Sequence, residues 1–184
     1  MGATTLEGYE EKSKQFMLKF AILGDKQVGK SSLLNRYTKD IFNYTYLQTR
    51  EGVEVTKVID IDGVRIQLSI VDSAGQYKMN SVVKSLYRDV HGILLVYDVT
   101  RKSTFESLQE WLAQIEMVNS YDPFVVIVGN KCDIESHRKV PLDYAESFAE
   151  SKNLCLMESS AQTGQGVKEA FHQLILGMCQ KKIR

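Results

Sequence analysis

One eight-residue string constrains this chain more than any other feature: Gly24-Asp25-Lys26-Gln27-Val28-Gly29-Lys30-Ser31. It follows an apolar run, Phe16 to Leu23, and opens a helix-period stretch, Lys30 to Thr38. It fits G-x-x-x-x-G-K-[ST] in the strand-to-helix context where that pattern has physical meaning. Glycines let backbone N–H groups wrap a polyanion, and the helix start adds partial positive charge. Lys30 supplies a full positive charge, and the Ser31 hydroxyl can ligate Mg²⁺. Asp25, Lys26, Gln27, Val28, Gly29, Lys30, Ser31 and the adjoining Ser32 are therefore the expected phosphate contacts. An incidental turn into a helix is the bland alternative.

The remainder of the chain repeats the same alternation. Val53 to Asp60 and Val64 to Val71 flank Asp62-Gly63, a hairpin signal. Gly92 to Tyr97, Phe124 to Val128 and Leu154 to Met157 are short apolar runs of the buried-strand type. Helical periods occupy Thr104 to Val118, Leu142 to Ser151 and Val167 to Cys179. This pattern predicts an α/β fold: one domain built on a six-stranded, mostly parallel sheet with an antiparallel edge strand and helices on both faces. The chain has 184 residues, enough for one sizeable core. Residues 1–14 are polar and aperiodic and read as a mobile tail; 15–180 form the expected domain, and 181–184 a short stub.

In such sheets ligands sit beyond the carboxyl ends of the strands, and the informative residues fall there. Asp72-Ser73-Ala74-Gly75-Gln76 ends the third strand. Asp72 can hold Mg²⁺ through water, Gly75 can bring its N–H against a terminal phosphate, and Gln76 can orient an attacking water. Thr49, in the aperiodic loop Asn43 to Glu51, can complete a metal shell when that phosphate is present. A solvent-exposed loop threonine reads the same locally. Lys30, Thr49 and Gln76 are the expected catalytic residues; Ser31, Thr49 and Asp72 are the expected metal ligands.

A second cluster reads a base. Asn130-Lys131-Cys132-Asp133 follows the strand at Phe124. Guanine presents two donors on its N1 and N2 edge, and the Asp133 carboxylate can accept both; adenine offers no such pair. The Lys131 stem can lie along the base, and Asn130 can tie neighbouring loops together. Glu158-Ser159-Ser160-Ala161-Gln162 follows the last strand, where a backbone N–H can meet the guanine O6. A charged turn and a polar loop are the alternatives. Phe42 can meet the base edge-on, though a lone phenylalanine serves equally as core.

These segments, in this order and spacing, resemble the small GTPases of the Ras superfamily from about Phe16 to Met178. Gly92 to Thr100, Gly129-Asn130-Lys131 and Trp111-Leu112 are most similar to Rab-like members. The resemblance implies Gly29, Lys30 and Ser31 on phosphates and Mg²⁺, Phe42 and Tyr46 beside the nucleotide, and Thr49, Gly75 and Gln76 in two switch loops. It puts Asn130, Lys131, Asp133, Ser160, Ala161 and Gln162 in a guanine pocket. The implied ligands are GTP, GDP and Mg²⁺, and the implied partners are an exchange factor, a GTPase-activating protein and effectors. The departures are specific. Lys26 and Gln27 stand where the family often has small residues or glycine. Bulk at position 26 implies slow hydrolysis and an altered response to a GTPase-activating protein, while the alternative is that its positive charge assists the reaction. Val55, Val71 and Leu86 stand where Rab proteins carry a surface aromatic cluster. An extra residue sits near Arg50-Glu51, and Gln162 replaces a usual lysine.

Lys plus Arg and Asp plus Glu are both 23, so nothing in the charge balance suggests nucleic acid. Hydrophobic residues make up 43% and charged residues 25%, which excludes a disordered chain. No apolar run spans a membrane and no leader pattern opens the chain. Met1 to Leu6 nearly matches a myristoylation signal but has Leu6 where Ser or Thr is wanted, and the ending after Cys179 is not a prenylation box. A truncated chain is the expected reading, and another attachment device the alternative. Cys132, Cys155 and Cys179 read as reduced thiols, and a cytoplasmic monomer is expected, peripheral on a membrane if lipidated. Three classes fit unequally. A GTP-hydrolysing switch accounts for every motif. A nucleotide-holding module without turnover draws on Lys26, and a P-loop kinase would not need Asn130-Lys131-x-Asp133.

Overall fold

The computed structural model describes residues 16–44, 53–61, 63–73, 88–119 and 121–183. Its six strands are β1 (Phe16–Leu23), β2 (Val53–Ile61), β3 (Val64–Asp72), β4 (Gly92–Asp98), β5 (Phe124–Asn130) and β6 (Cys155–Ser159). They form one sheet in the order β2-β3-β1-β4-β5-β6. The β2–β3 pair is antiparallel and every other pairing is parallel, as the alternation of elements predicts.

Among the described residues five α-helices pack on the sheet: α1 (Lys30–Lys39), α2 (Lys102–Glu106), α3 (Leu108–Val118), α4 (Leu142–Ser151) and α5 (Val167–Ile183). Successive strand side chains point to opposite faces, so β1 feeds two cores at once. Phe20 and Ile22 join Leu33 and Leu34 of α1 and Phe171, Leu174 and Met178 of α5. Ala21 and Leu23 join Phe105, Trp111 and Ile115 of α2 and α3, and Ala145 and Ala149 of α4. β4 is buried along its whole length, whereas β2 alternates between exposed and half-buried residues, as an edge strand must.

Sequence and structure differ in detail. The single helix expected over Thr104 to Val118 starts at Lys102 and is divided at Ser107, whose hydroxyl donates to Ser103 O at 3.0 Å. Such back-bonding competes with the helical ladder and bends it. α5 runs on to Ile183, past the expected end at Cys179 and into the expected stub, with Lys181 reaching the Asp122 carboxylate at 2.6 Å. Val71, expected on the surface, is buried in the second core, and Val55 is half-buried against the first. Leu86, Asp62, Arg50 and Glu51 lie outside the described residues.

A candidate nucleotide site at the carboxyl ends of the strands

The loop between β1 and α1 turns on residues with positive φ. Gly24 has φ +136, and a Cβ there would stand 2.1 Å from the carbonyl oxygen of Val96 in β4. Gly29 has φ +99, and its Cβ would meet Asn130 Nδ2 at 2.2 Å. Gln27 adopts φ 64, a left-handed conformation that costs a residue with a Cβ. Lys26 and Gln27 are exposed, and Val28 is buried beneath them.

Lys30 lies inside the turn, 5% exposed, where its ammonium donates to Gly24 O at 2.9 Å and Asp25 O at 2.8 Å. Burial lowers its pKa to about 8, against the pull of Asp72 and Asp25. Beside it the Ser31 hydroxyl donates to Asp72 Oδ2 at 2.5 Å. Asp72 is 2% exposed, and among the described residues no donor reaches its Oδ1. Burial raises its pKa, while the Ser31 hydrogen bond and Lys30 oppose that. A buried carboxylate oxygen without a donor, next to a serine hydroxyl, suits a hard, oxygen-seeking cation such as Mg²⁺.

The segments expected to read a base meet this loop through Asn130. Its Nδ2 donates to Val28 O at 2.8 Å, and its Oδ1 accepts from Ala161 N at 3.2 Å and Ser159 Oγ at 3.4 Å. The Ala161 N–H, a candidate for the guanine O6, is thus directed at Asn130. Ser160 Oγ accepts from Thr163 N at 3.0 Å and so shapes its own loop. Lys131, at φ 69, sends its ammonium to Gln27 O at 3.0 Å and Asp98 Oδ2 at 2.6 Å. Asp133 and Gln162 are exposed. Phe42 packs half-buried against the first core and edge-on to Tyr44, ring centres 5.1 Å apart. Ser32 is half-buried on α1. Tyr46, Thr49, Gly75 and Gln76 lie outside the described residues.

The family model for the Ras family matches residues 19–180.

The chain belongs to the Ras family.

Among its relatives, GTP-binding protein ypt2 of Schizosaccharomyces pombe is 36% identical over 173 residues, covering 94% of this chain and 86% of that protein. Ras-related protein RABA5c of Arabidopsis thaliana is 40% identical, over 90% of this chain and 78% of its own. Ras-related protein Rab-1C of Dictyostelium discoideum is 37% identical, over 86% and 79% respectively. The chain is a Rab-like small GTPase of the Ras superfamily.

Several residues that shape the site in this small GTPase were not singled out as site residues in the sequence. Asp98, at the end of β4, is 1% exposed and accepts from Lys131, Thr100 and Arg101. Burial alone would raise its pKa, but the hydrogen bonds from Lys131 and Thr100 prevail and hold it low. Arg101 also reaches Lys26 O at 3.0 Å, and Trp111 Nε1 donates to Asp25 Oδ1 at 2.9 Å. From α1, Arg36 donates to Ala161 O at 2.9 Å and Gln162 O at 2.8 Å. Arg138 grips Glu158 with two nitrogens, at 2.6 and 3.0 Å, beneath the last loop. Position at a strand's carboxyl end was the one available signal, and it applied to Asp98 alone. A cavity of about 810 Å³ lined by Leu112, Asn119, Phe124 and Lys152 is formed elsewhere, by the amino-terminal ends of β5 and β6, and has no part in this site.

Among the described residues no helix is long and apolar enough to cross a membrane.

Proposed function

We propose that this chain is a molecular switch that binds GTP and GDP with Mg²⁺, hydrolyses GTP, and engages effectors in the GTP form. Asn130 carries the reading. One side chain holds both the Val28 carbonyl of the proposed phosphate loop and the Ala161 amide of the opposite loop, the proximity that a single nucleotide site requires.

The division of labour follows from the residues. Lys30 offers a charged donor to the outer phosphates, and the loop N–H groups at the start of α1 cradle them. The Asp133 carboxylate accepts both guanine donors, with Lys131 along the base face and Phe42 and Tyr46 at its edge. Ser31, Thr49 and Asp72 would hold Mg²⁺, which when bound would neutralise charge on the phosphates. Gln76 orients the attacking water, Gly75 contacts the terminal phosphate, and the loops bearing Thr49 and Gly75 respond to its loss. Exchange factors, GTPase-activating proteins and effectors act on those loops. A lipid-anchored role in membrane trafficking or signalling suits a Rab-like member. Lys26 is the single feature favouring a binding module with little turnover.

The test is to extract the nucleotide from purified protein, identify it by chromatography, and follow its hydrolysis in a single turnover. Guanine nucleotide turning over slowly is expected, together with at least ~100-fold loss of guanine preference in Asp133→Asn. Adenine in the extract would falsify the assignment, and GTP persisting for hours would favour the binding module.

A further inference from the structure

We infer that Arg101 is a positioning residue of the phosphate loop, one arm of a latch anchored on Asp98 that sets how long guanine nucleotide stays bound. This rests on the function proposed above and assigns part of its control to a residue outside the motifs.

The carbonyls of the loop are held one after another by side chains. Lys30 takes those of Gly24 and Asp25, Arg101 that of Lys26, Lys131 that of Gln27, and Asn130 that of Val28. With its carbonyls tied inward, a loop of this kind presents its N–H groups outward, as a phosphate requires. The exposed centre, Lys26 and Gln27, has the least packing to hold it, and Gln27 sits at φ 64 where glycine would be unstrained.

Both arms that grip this centre start from the same oxygen. Asp98 Oδ2 accepts Lys131 Nζ at 2.6 Å and Arg101 Nε at 3.1 Å, while Oδ1 is taken by Thr100 N at 2.9 Å and Thr100 Oγ1 at 2.6 Å. A carboxylate with four donors cannot rotate to release either cation without losing several bonds. The guanidinium fork lets Arg101 place Nε on Asp98 and Nη2 on Lys26 O together, at 3.0 Å for the latter. A lysine at this position would have to serve both acceptors from a single nitrogen, instead of from the two ends of a fork.

The experiment measures release of fluorescent GDP from the Mg²⁺-loaded protein in wild type, Arg101→Ala and Arg101→Lys, with circular dichroism to confirm folding. The ³¹P spectrum of bound GDP reports the phosphate environment, and Lys181→Ala serves as a variant in an ion pair, with Asp122, that does not touch the loop. Arg101→Ala is expected to release GDP about tenfold faster, the equivalent of one charge-assisted hydrogen bond, and to shift a ³¹P resonance. Arg101→Lys should fall between, and Lys181→Ala should leave the ³¹P spectrum unmoved. A folded Arg101→Ala that releases GDP within about twofold of wild type, or with an unmoved ³¹P spectrum, overturns the latch. Wild type that takes up no guanine nucleotide overturns the proposed function itself, a separate and visible failure.

Discussion

Ser31 Oγ lies 2.5 Å from Asp72 Oδ2, joining the first turn of α1 to the end of β3 across 41 residues of sequence. The bond leaves Asp72 Oδ1 buried with no donor among the described residues, although the carboxylate is 2% exposed. Such an oxygen is costly unless something occupies the space beside it.

Magnesium dependence follows from that pair. Removing the metal with a chelator should hasten nucleotide release from wild type. Asp72→Asn, which turns an acceptor into a donor while keeping the shape, should weaken apparent Mg²⁺ affinity about 10–100-fold. A magnesium titration of nucleotide release measures both. Identical titration midpoints would remove Asp72 from the metal site.

Lys30 predicts proton uptake on binding. Its folded pKa of about 8 lies below the ordinary 10.5. Between those values the unfolded chain binds more protons, so this group makes the nucleotide-free protein more stable as pH rises through the window. Phosphate charge beside the amine restores the proton. Calorimetry in buffers of different ionisation enthalpy should show uptake of about half a proton at pH 8, rising toward one by pH 9. No uptake at pH 9 would mean that Lys30 does not meet the phosphates.

Two glycines with positive φ should differ sharply in their tolerance of alanine. At Gly24 the new Cβ would lie 2.1 Å from Val96 O, a backbone atom in the centre of the sheet; at Gly63 nothing lies within 4 Å. Gly24→Ala should therefore cost at least ~3 kcal/mol of stability, and Gly63→Ala only about 1 kcal/mol. Denaturant melts of both variants decide the matter, and equal losses would contradict the close approach of the loop to β4.

Lys26 is exposed and its carbonyl is fixed by Arg101, so its side chain projects from a restrained backbone. Lys26→Gly should raise the single-turnover rate of GTP hydrolysis by roughly tenfold if the side chain obstructs the attacking water. Equal rates would clear Lys26. A slower variant would mean that its charge assists the reaction.

The local parts of this protein were legible in its residues. The loop proposed to hold phosphate is contiguous, so its glycines, Lys30 and Ser31 stand out by spacing, and the β2–β3 hairpin by its alternation around Gly63. Helix α4 matched its expected bounds because it is short, regular and ended by its own chain signals. Boundaries drifted where a tertiary contact decided them, as at α5, extended while Lys181 holds Asp122.

The sequence by itself determined that a glycine-bearing loop, the proposed polyphosphate cradle, opens the first helix of a mostly parallel α/β sheet and that polar loops follow the later strands. Tertiary structure alone decided which distant side chains hold that cradle: Arg101 and Trp111 reach it from 75 and 86 residues away, and Arg36 reaches the far loop across 125. Periodicity records which face of an element is buried but not which elements become neighbours. That is set when parallel strands cross over to place β1 between β3 and β4, bringing Asp98 beneath a loop that its own sequence neighbourhood never mentions.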